Sequence, residues 1–337
     1  FFFFFSLSCL CSVRIGTEEM EEGKKRLATL VGCNYANTRN ELHGCINDVH
    51  AMRDVLVRRF GFDTRDVELL TDAPGAQVQP TGANVRRALA RMVDRAEPGD
   101  VLYFHYSGHG TWFPSGKRHG ASQRDEAIVP CDFNLITDAD FRHLVNRLPA
   151  GASFTIVSDS CHSGGLIDKE KEQIGPSSAA PTAHAGTSRR DKAIPFESVL
   201  SHLTSLSGIE SPHIGDHLLG LFGAEASPKF LQAAGERKGA LGPPDEGVLL
   251  SGCQANETSA DMCVGGDTAR AYGAFSNAIQ MVLREEDGTL SNRELVVRAR
   301  QVLHRQGFTQ HPCLYCSDDN ADAPFLWQQR VCPRSTA

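Results

Sequence analysis

Short apolar runs alternating with stretches of helical spacing constrain this 337-residue chain more than any other feature. The runs are Leu27–Val31, Val67–Leu70, Val101–Tyr106, Phe154–Val157 and Val248–Leu250. Runs with no polar alternation read as strands buried on both faces, as in a parallel sheet. Between them, Asn47 to Arg59 carries Val49, Met52, Val55 and Leu56 at helical spacing and stops before Gly61. Thr81 caps a second helix with Val85, Leu89 and Met92, and further helices are expected over Ala271–Arg284 and after the capping box Ser291–Glu294. The expected fold is therefore α/β: a mostly parallel central sheet with helices on both faces, a three-layer αβα sandwich.

The pattern breaks between residues 166 and 245. The stretch GPSSAAPTAHAGTSRR is poor in apolar residues and reads as a loose connection. Short amphipathic pieces follow at Val199–Leu206 and Leu218–Phe222. A loop this long inside a domain is expected to have a task. A net charge of −7 gives no general reason to bind nucleic acid or an anionic membrane. The eleven cysteines are scattered, so they read as reduced thiols of a cytoplasmic protein. Beyond residues 1–19, Cys313 and Cys316 form the one close pair, without a second pair at matching spacing to complete a zinc site. Residues 1–19, opening FFFFFSLSCLCSV, read as a non-native or truncated extension, with the natural start at Met20.

In parallel sheets chemistry gathers at the carboxyl ends of the strands. Two loops there stand out. YFHYSGHG (103–110) presents His109 between glycines, and IVSDSCHSGG (156–165) presents Cys161. A thiol becomes a nucleophile when a base raises its thiolate fraction, and His109 suits that role. The backbone N–H groups of Gly110 and Cys161 can stabilise an oxyanion. The His lies roughly 50 residues before the Cys, a spacing known for one class of cysteine peptidase. His162 is a rival base, but adjacent residues on a strand end point apart. Cys33, Cys45, Cys131 and Cys253 read as buried structural thiols, and His105 as a hydrogen-bonded core histidine.

The blocks GCNYANTRNELHGCINDVHAM, HYSGHGT, DEAIVPCDFNLITDADFR, VSDSCHSGGLID, LLSGCQANETSADM, AYGAFSNAI and RQGFTQHPCLYCSD, taken in order, resemble a type II metacaspase of plants and algae. The resemblance covers Lys25–Leu326 apart from the linker. It implies a caspase-like fold and a cysteine endopeptidase, with Cys161 as nucleophile, His109 as general base and acid, and Gly110 as oxyanion donor. It divides the chain into a p20-like catalytic region (20–165), a regulatory linker (166–245) and a p10-like region (246–330) completing the same sheet. It also places Cys45, Asp48 and Ser107 in the pocket for the residue before the scissile bond, the P1 residue. Asp159 stands two positions before Cys161 and faces the same way. Two carboxylates in one pocket pair with Arg or Lys and repel Asp. In the alternative, Asp48 caps its helix and Asp159 braces a loop.

The resemblance further implies calcium dependence, with Asp125, Asp138, Asp140 and Asp168 as ligands, a hard oxygen set suited to Ca²⁺. Ala139 and the basic stretch SGKRHGASQR depart from the family's acidic pattern there. The linker is expected to cover the site and to be cut after Arg189, Arg190, Lys192, Lys229, Arg237 or Lys238. Expected partners are protein or peptide substrates with a basic P1 residue, acted on by a monomer in proteolysis, programmed cell death or the response to stress and wounding. The rival reading is a catalytically silent caspase-fold scaffold or binding protein.

Overall fold

The computed structural model describes residues 24–115, 124–167, 172–175, 188–233, 247–254 and 256–326, so the extension 1–19 lies outside it. The central sheet has seven strands: β1 (Arg26–Gly32), β2 (Val67–Thr71), β3 (Val101–Ser107), β7 (Ser153–Asp159), β8 (Glu172–Ile174), β10 (Val248–Ser251) and β13 (Cys313–Tyr315). Their order is β2-β1-β3-β7-β10-β13-β8. The first five run parallel, and β13 is antiparallel to both of its neighbours. Every residue of β3 is buried, as its unbroken apolar run requires.

One face carries α1 (Cys45–Phe60), α7 (Ala274–Glu285), α8 (Asn292–Arg305) and the short α9 (Asp318–Asp322). Val49, Met52 and Leu56 of α1 meet Ala28, Leu30 and Tyr103 there, together with Phe275 and Leu295. The opposite face carries α2 (Gly82–Asp94) and α3 (Asp138–Val145) over Leu27, Val31, Leu102, Phe104 and Ile156. Alternate residues of each strand thus feed opposite cores, giving the expected three-layer αβα sandwich.

Two small sheets flank the carboxyl end of the large one. In the first, β4 (Gly110–Pro114) pairs with β5 (Arg124–Ile128), which pairs with β6 (Ile136–Thr137). In the second, β11 (Ala260–Cys263) lies between β12 (Tyr272–Gly273) and β9 (Ser188–Asp191).

The linker read over 166–245 is not loose throughout: the stretch 188–233 takes regular structure. Besides β9 it forms α4 (Phe196–Ser207), α5 (Ile214–Phe222) and α6 (Pro228–Ala233). Val199, Leu203, Ile214, Leu218 and Phe230 bury against Phe113, Ala127, Val129 and Leu135 as a third apolar cluster. The amphipathic pieces find a partner surface on β4 and β5 that sequence periodicity alone does not display.

Candidate active site

The register of β3 against β7 sets Ser107 beside Asp159, so the loops after both strands leave the sheet together. They approach so closely that a Cβ on Gly110 would fall 1.7 Å from the Cys161 carbonyl oxygen. Only glycine allows that contact. Cys161 and His109 are both buried. The Cys161 thiol takes the Ser259 N–H at 3.0 Å, while His109 Nε2 contacts the Asn40 carbonyl oxygen at 2.7 Å. His109 Nδ1 is buried without a hydrogen-bond partner, which leaves it available to a proton. The His109 backbone is clamped by two phenols: its N–H donates to Tyr35 Oη at 3.0 Å, and Tyr106 Oη donates to its carbonyl at 2.8 Å. Burial lowers the His109 pKa to about 4, against the pull of the Asn40 carbonyl, so the ring is a neutral base near pH 7.

Lys192 fills the space between these loops. Its carbonyl oxygen accepts the N–H of Gly110 at 3.0 Å and that of Cys161 at 3.2 Å. Two convergent N–H donors on one carbonyl are what an oxyanion hole presents to a scissile peptide. The Lys192 side chain is fully buried. Its Nζ lies 3.2 Å from Asp159 Oδ2 and 3.6 Å from Asp48 Oδ2, and donates to Ser107 Oγ at 2.8 Å. Burial works against the ammonium, but Asp159, Cys45 and Asp48 together raise its pKa. Burial pushes the Asp48 carboxyl up to about 7, opposed by the same ammonium.

The chain on either side of Lys192 lies like a bound peptide. Before it, β9 adds to β11 as an antiparallel strand, with Asp191 opposite Ala260 and Arg190 opposite Asp261. The Lys192 N–H donates to the Ser259 carbonyl at 2.9 Å. After it, the Ile194 N–H donates to the Gly110 carbonyl at 3.0 Å, and Ile194 buries in the third apolar cluster. Strand addition of this kind is a common way to hold a peptide through its backbone.

Of the residues expected in the P1 pocket, Asp48, Asp159 and Ser107 directly contact the Lys192 ammonium, and Cys45 lies buried near enough to influence it. Asp48 does not cap its helix with its side chain. Asn34 Oδ1 takes the first N–H groups of α1 instead, from Cys45 at 3.0 Å and Ile46 at 3.3 Å, while Asp261 holds the residues before the helix, accepting the His43 N–H at 2.9 Å and the Gly44 N–H at 2.8 Å. Among the self-cleavage candidates, Arg189 pairs at the surface with Asp191, and Arg190 donates to the Glu41 carbonyl. Lys229 is remote from Cys161 in its contacts, and Arg237 and Lys238 lie outside the described residues.

The acids expected to hold calcium do not fit a resident cation in this conformation. Lys229 Nζ lies 3.1 Å from Asp125 Oδ1 and 2.7 Å from Asp138 Oδ1, so an ammonium already bridges that pair. Asp140 turns elsewhere: Oδ1 takes Arg86 Nε at 2.6 Å, and Oδ2 takes the Thr137 N–H at 2.8 Å and Ser227 Oγ at 2.6 Å. Asp168 lies outside the described residues, and among those described no three His, Cys, Asp or Glu side chains converge. Cys313 and Cys316 are free and buried, and no zinc-type cluster surrounds them among the described residues.

Sequence reasoning did not single out Tyr35, Tyr106, Ser259, Asp261 or Gly273. Asp261 left a signal, since an acid inside the apolar strand Ala260–Cys263 needs a buried partner.

Known proteins place this arrangement in a family. The Caspase domain family matches residues 25–323. Metacaspase-9 of Arabidopsis thaliana is 60% identical over 319 residues, covering 90% of this chain and 98% of that protein. Metacaspase-6 of the same plant is 39% identical over 365 residues, covering 89% and 99%. A crystal structure of a Geobacter sulfurreducens protein superposes with a TM-score of 0.54 at 20% identity, covering 89% of this chain and 97% of that one. That likeness speaks for the caspase-like fold alone. No helix among the described residues is long and apolar enough to cross a membrane. The blocks quoted from the sequence and these relatives agree, and the chain belongs to the plant type II metacaspases, cysteine peptidases of the caspase-domain family.

Proposed function

We propose that this peptidase cleaves protein chains after Lys or Arg and is held in a precursor form by its own Lys192. One observation carries the reading: the Lys192 ammonium sits between two buried carboxylates while its carbonyl accepts two convergent N–H groups. A fixed cationic side chain behind a polarised carbonyl is the posture of a P1 residue before attack.

The chemistry follows from the residues in place. Cys161 Sγ adds to the Lys192 carbonyl carbon as His109 Nδ1 takes the thiol proton. The Gly110 and Cys161 N–H groups hold the oxyanion. The C–N bond to Ala193 breaks, His109 returns the proton to the leaving amine, and water then hydrolyses the thioester by the reverse route. Asp159 Oδ1 is buried without a partner, so a bound arginine finds an acceptor for its second N–H that lysine leaves unused. Arg substrates should therefore exceed Lys substrates, and Asp substrates should be refused.

Calcium control is inferred from the family resemblance, and a divalent cation acting at Asp125 and Asp138 has to displace the Lys229 ammonium first. The eight free thiols among the described residues suit a reducing compartment such as the cytoplasm. The test is a fluorogenic peptide series with P1 Arg, Lys, Gln and Asp, with and without calcium, on wild type, Cys161→Ala and His109→Ala. Turnover of Arg and Lys alone, abolished by Cys161→Ala, is expected. Equal turnover of Asp or Gln peptides would refute the specificity.

A further inference from the structure

The pocket around Lys192 ends on a residue with no side chain. Gly273 closes β12 just before α7, and its N–H reaches both Asp48 carboxylate oxygens at 2.9 and 3.0 Å. A Cβ built on Gly273 falls 2.1 Å from Lys192 Nζ, 2.4 Å from Asp159 Oδ2 and 2.5 Å from Asp48 Oδ2. Real Cβ atoms essentially never approach below 3.0 Å.

The backbone does not explain the glycine. Its φ of −77° and ψ of 132° suit any L-residue, so space and not conformation excludes a side chain. The surrounding atoms have little freedom to yield. Asp159 Oδ2 accepts the Ser276 N–H at 2.8 Å, Asp48 Oδ2 accepts Ser107 Oγ at 2.7 Å, and Lys192 is fully buried.

We propose that Gly273 is a specificity-determining residue of this peptidase. Its missing Cβ leaves the depth that lets a long cationic P1 side chain reach both carboxylates, and its N–H aims Asp48 at the cation. This rests on the reading that a basic residue occupies P1. One methyl group at position 273 then shortens the pocket, so that Lys and Arg lose access while a shorter cation loses less.

The experiment measures kcat/KM for peptides with P1 Lys, Arg, ornithine and homoarginine on wild type and Gly273→Ala, each produced as the two chains that cleavage after Lys192 leaves. Thermal midpoint and alkylation of Cys161 by iodoacetamide report whether the variant keeps its fold and site. A folded, alkylatable Gly273→Ala should lose at least about 100-fold on Lys and Arg, as an added methyl in a filled pocket can cost. Its ornithine-to-lysine ratio should rise at least about tenfold, because ornithine ends one methylene earlier. A folded variant within about threefold of wild type on Lys overturns the proposal. Should Gly273→Ala not fold, wild type decides: rejection of homoarginine relative to Arg by at least about tenfold supports the closed end, and equal cleavage overturns it. Wild type that cuts none of the basic peptides yet cuts others overturns the P1 reading itself, a result distinct from either outcome for Gly273.

Discussion

The carbonyl oxygen of Lys192 accepts the N–H of Cys161 at 3.2 Å, so the residue assigned to attack peptide bonds already holds one from its own chain. Lys192–Ala193 is then the first bond to break. Incubated wild type and Lys192→Arg should both acquire a new N-terminus at Ala193, seen by mass spectrometry. Lys192→Gln should lose that cut at least about 100-fold, since a neutral side chain leaves the two carboxylates unpaired. Cys161→Ala should stay whole. Cleavage of Lys192→Gln at Ala193 at the wild-type rate would separate the cut from the pocket.

Asp159 is the nearer carboxylate to the Lys192 ammonium, at 3.2 Å against 3.6 Å for Asp48. In the uncleaved Cys161→Ala background, Asp159→Asn should destabilise the protein by about 3–5 kcal/mol, because it strips a fully buried cation of its nearer carboxylate. Adding Lys192→Met should restore much of that loss, as both halves of the pair are then removed. Urea unfolding of the four combinations measures the coupling. Simple additivity of the two changes would mean the pair carries no interaction.

The sheet, the two loops at its carboxyl end and Asp159 beside Cys161 were legible because each rests on local pattern, whereas Asp48 entered the pocket only through the family resemblance. Apolar runs such as Val101–Tyr106 specify buried strands, and glycine-flanked His109 and Cys161 mark strand ends. Lys192 was one of six equivalent candidates because nothing local separates it from Arg189 or Arg190. Its selection comes from β9 pairing with β11, a contact far apart in sequence. Packing of α4 to α6 was hidden for the same reason: their apolar faces meet residues of β4 and β5. Asp140 could have been read differently, since Thr137-Asp-Ala-Asp140 has the spacing of a capping box, which occupies an acid otherwise counted toward a cation.

Lys229 ties α6 to β5 through Asp125 and to the start of α3 through Asp138. All three side chains are about a quarter exposed, so screening keeps the stabilisation small. Lys229→Met should cost about 1 kcal/mol in chelator. Calcium should then raise the thermal midpoint of Lys229→Met more than that of wild type, because the variant offers the two acids without a competing ammonium. Self-cleavage of the variant should likewise need less calcium. Identical calcium titrations of stability in the two proteins would place any cation elsewhere.

His105 gives the fold a dependence on pH that is separate from catalysis. Its ring is fully buried between Tyr103 Oη at 3.0 Å and Ser276 Oγ at 3.1 Å. Burial lowers its pKa to about 3, with Asp159 drawing upward and Lys192 downward. The unfolded chain takes up a proton on this residue as pH falls through 6.5, while the folded chain refuses it until about 3. Stability is therefore whole above pH 6.5 and declines below it, by an amount on the order of 3 kcal/mol at pH 4 from this residue. His105→Gln keeps a donor and an acceptor but cannot protonate. It should flatten the fall in unfolding free energy between pH 6 and pH 4 by about 1 kcal/mol per pH unit. An unchanged slope would show that the buried ring takes its proton without opening the fold.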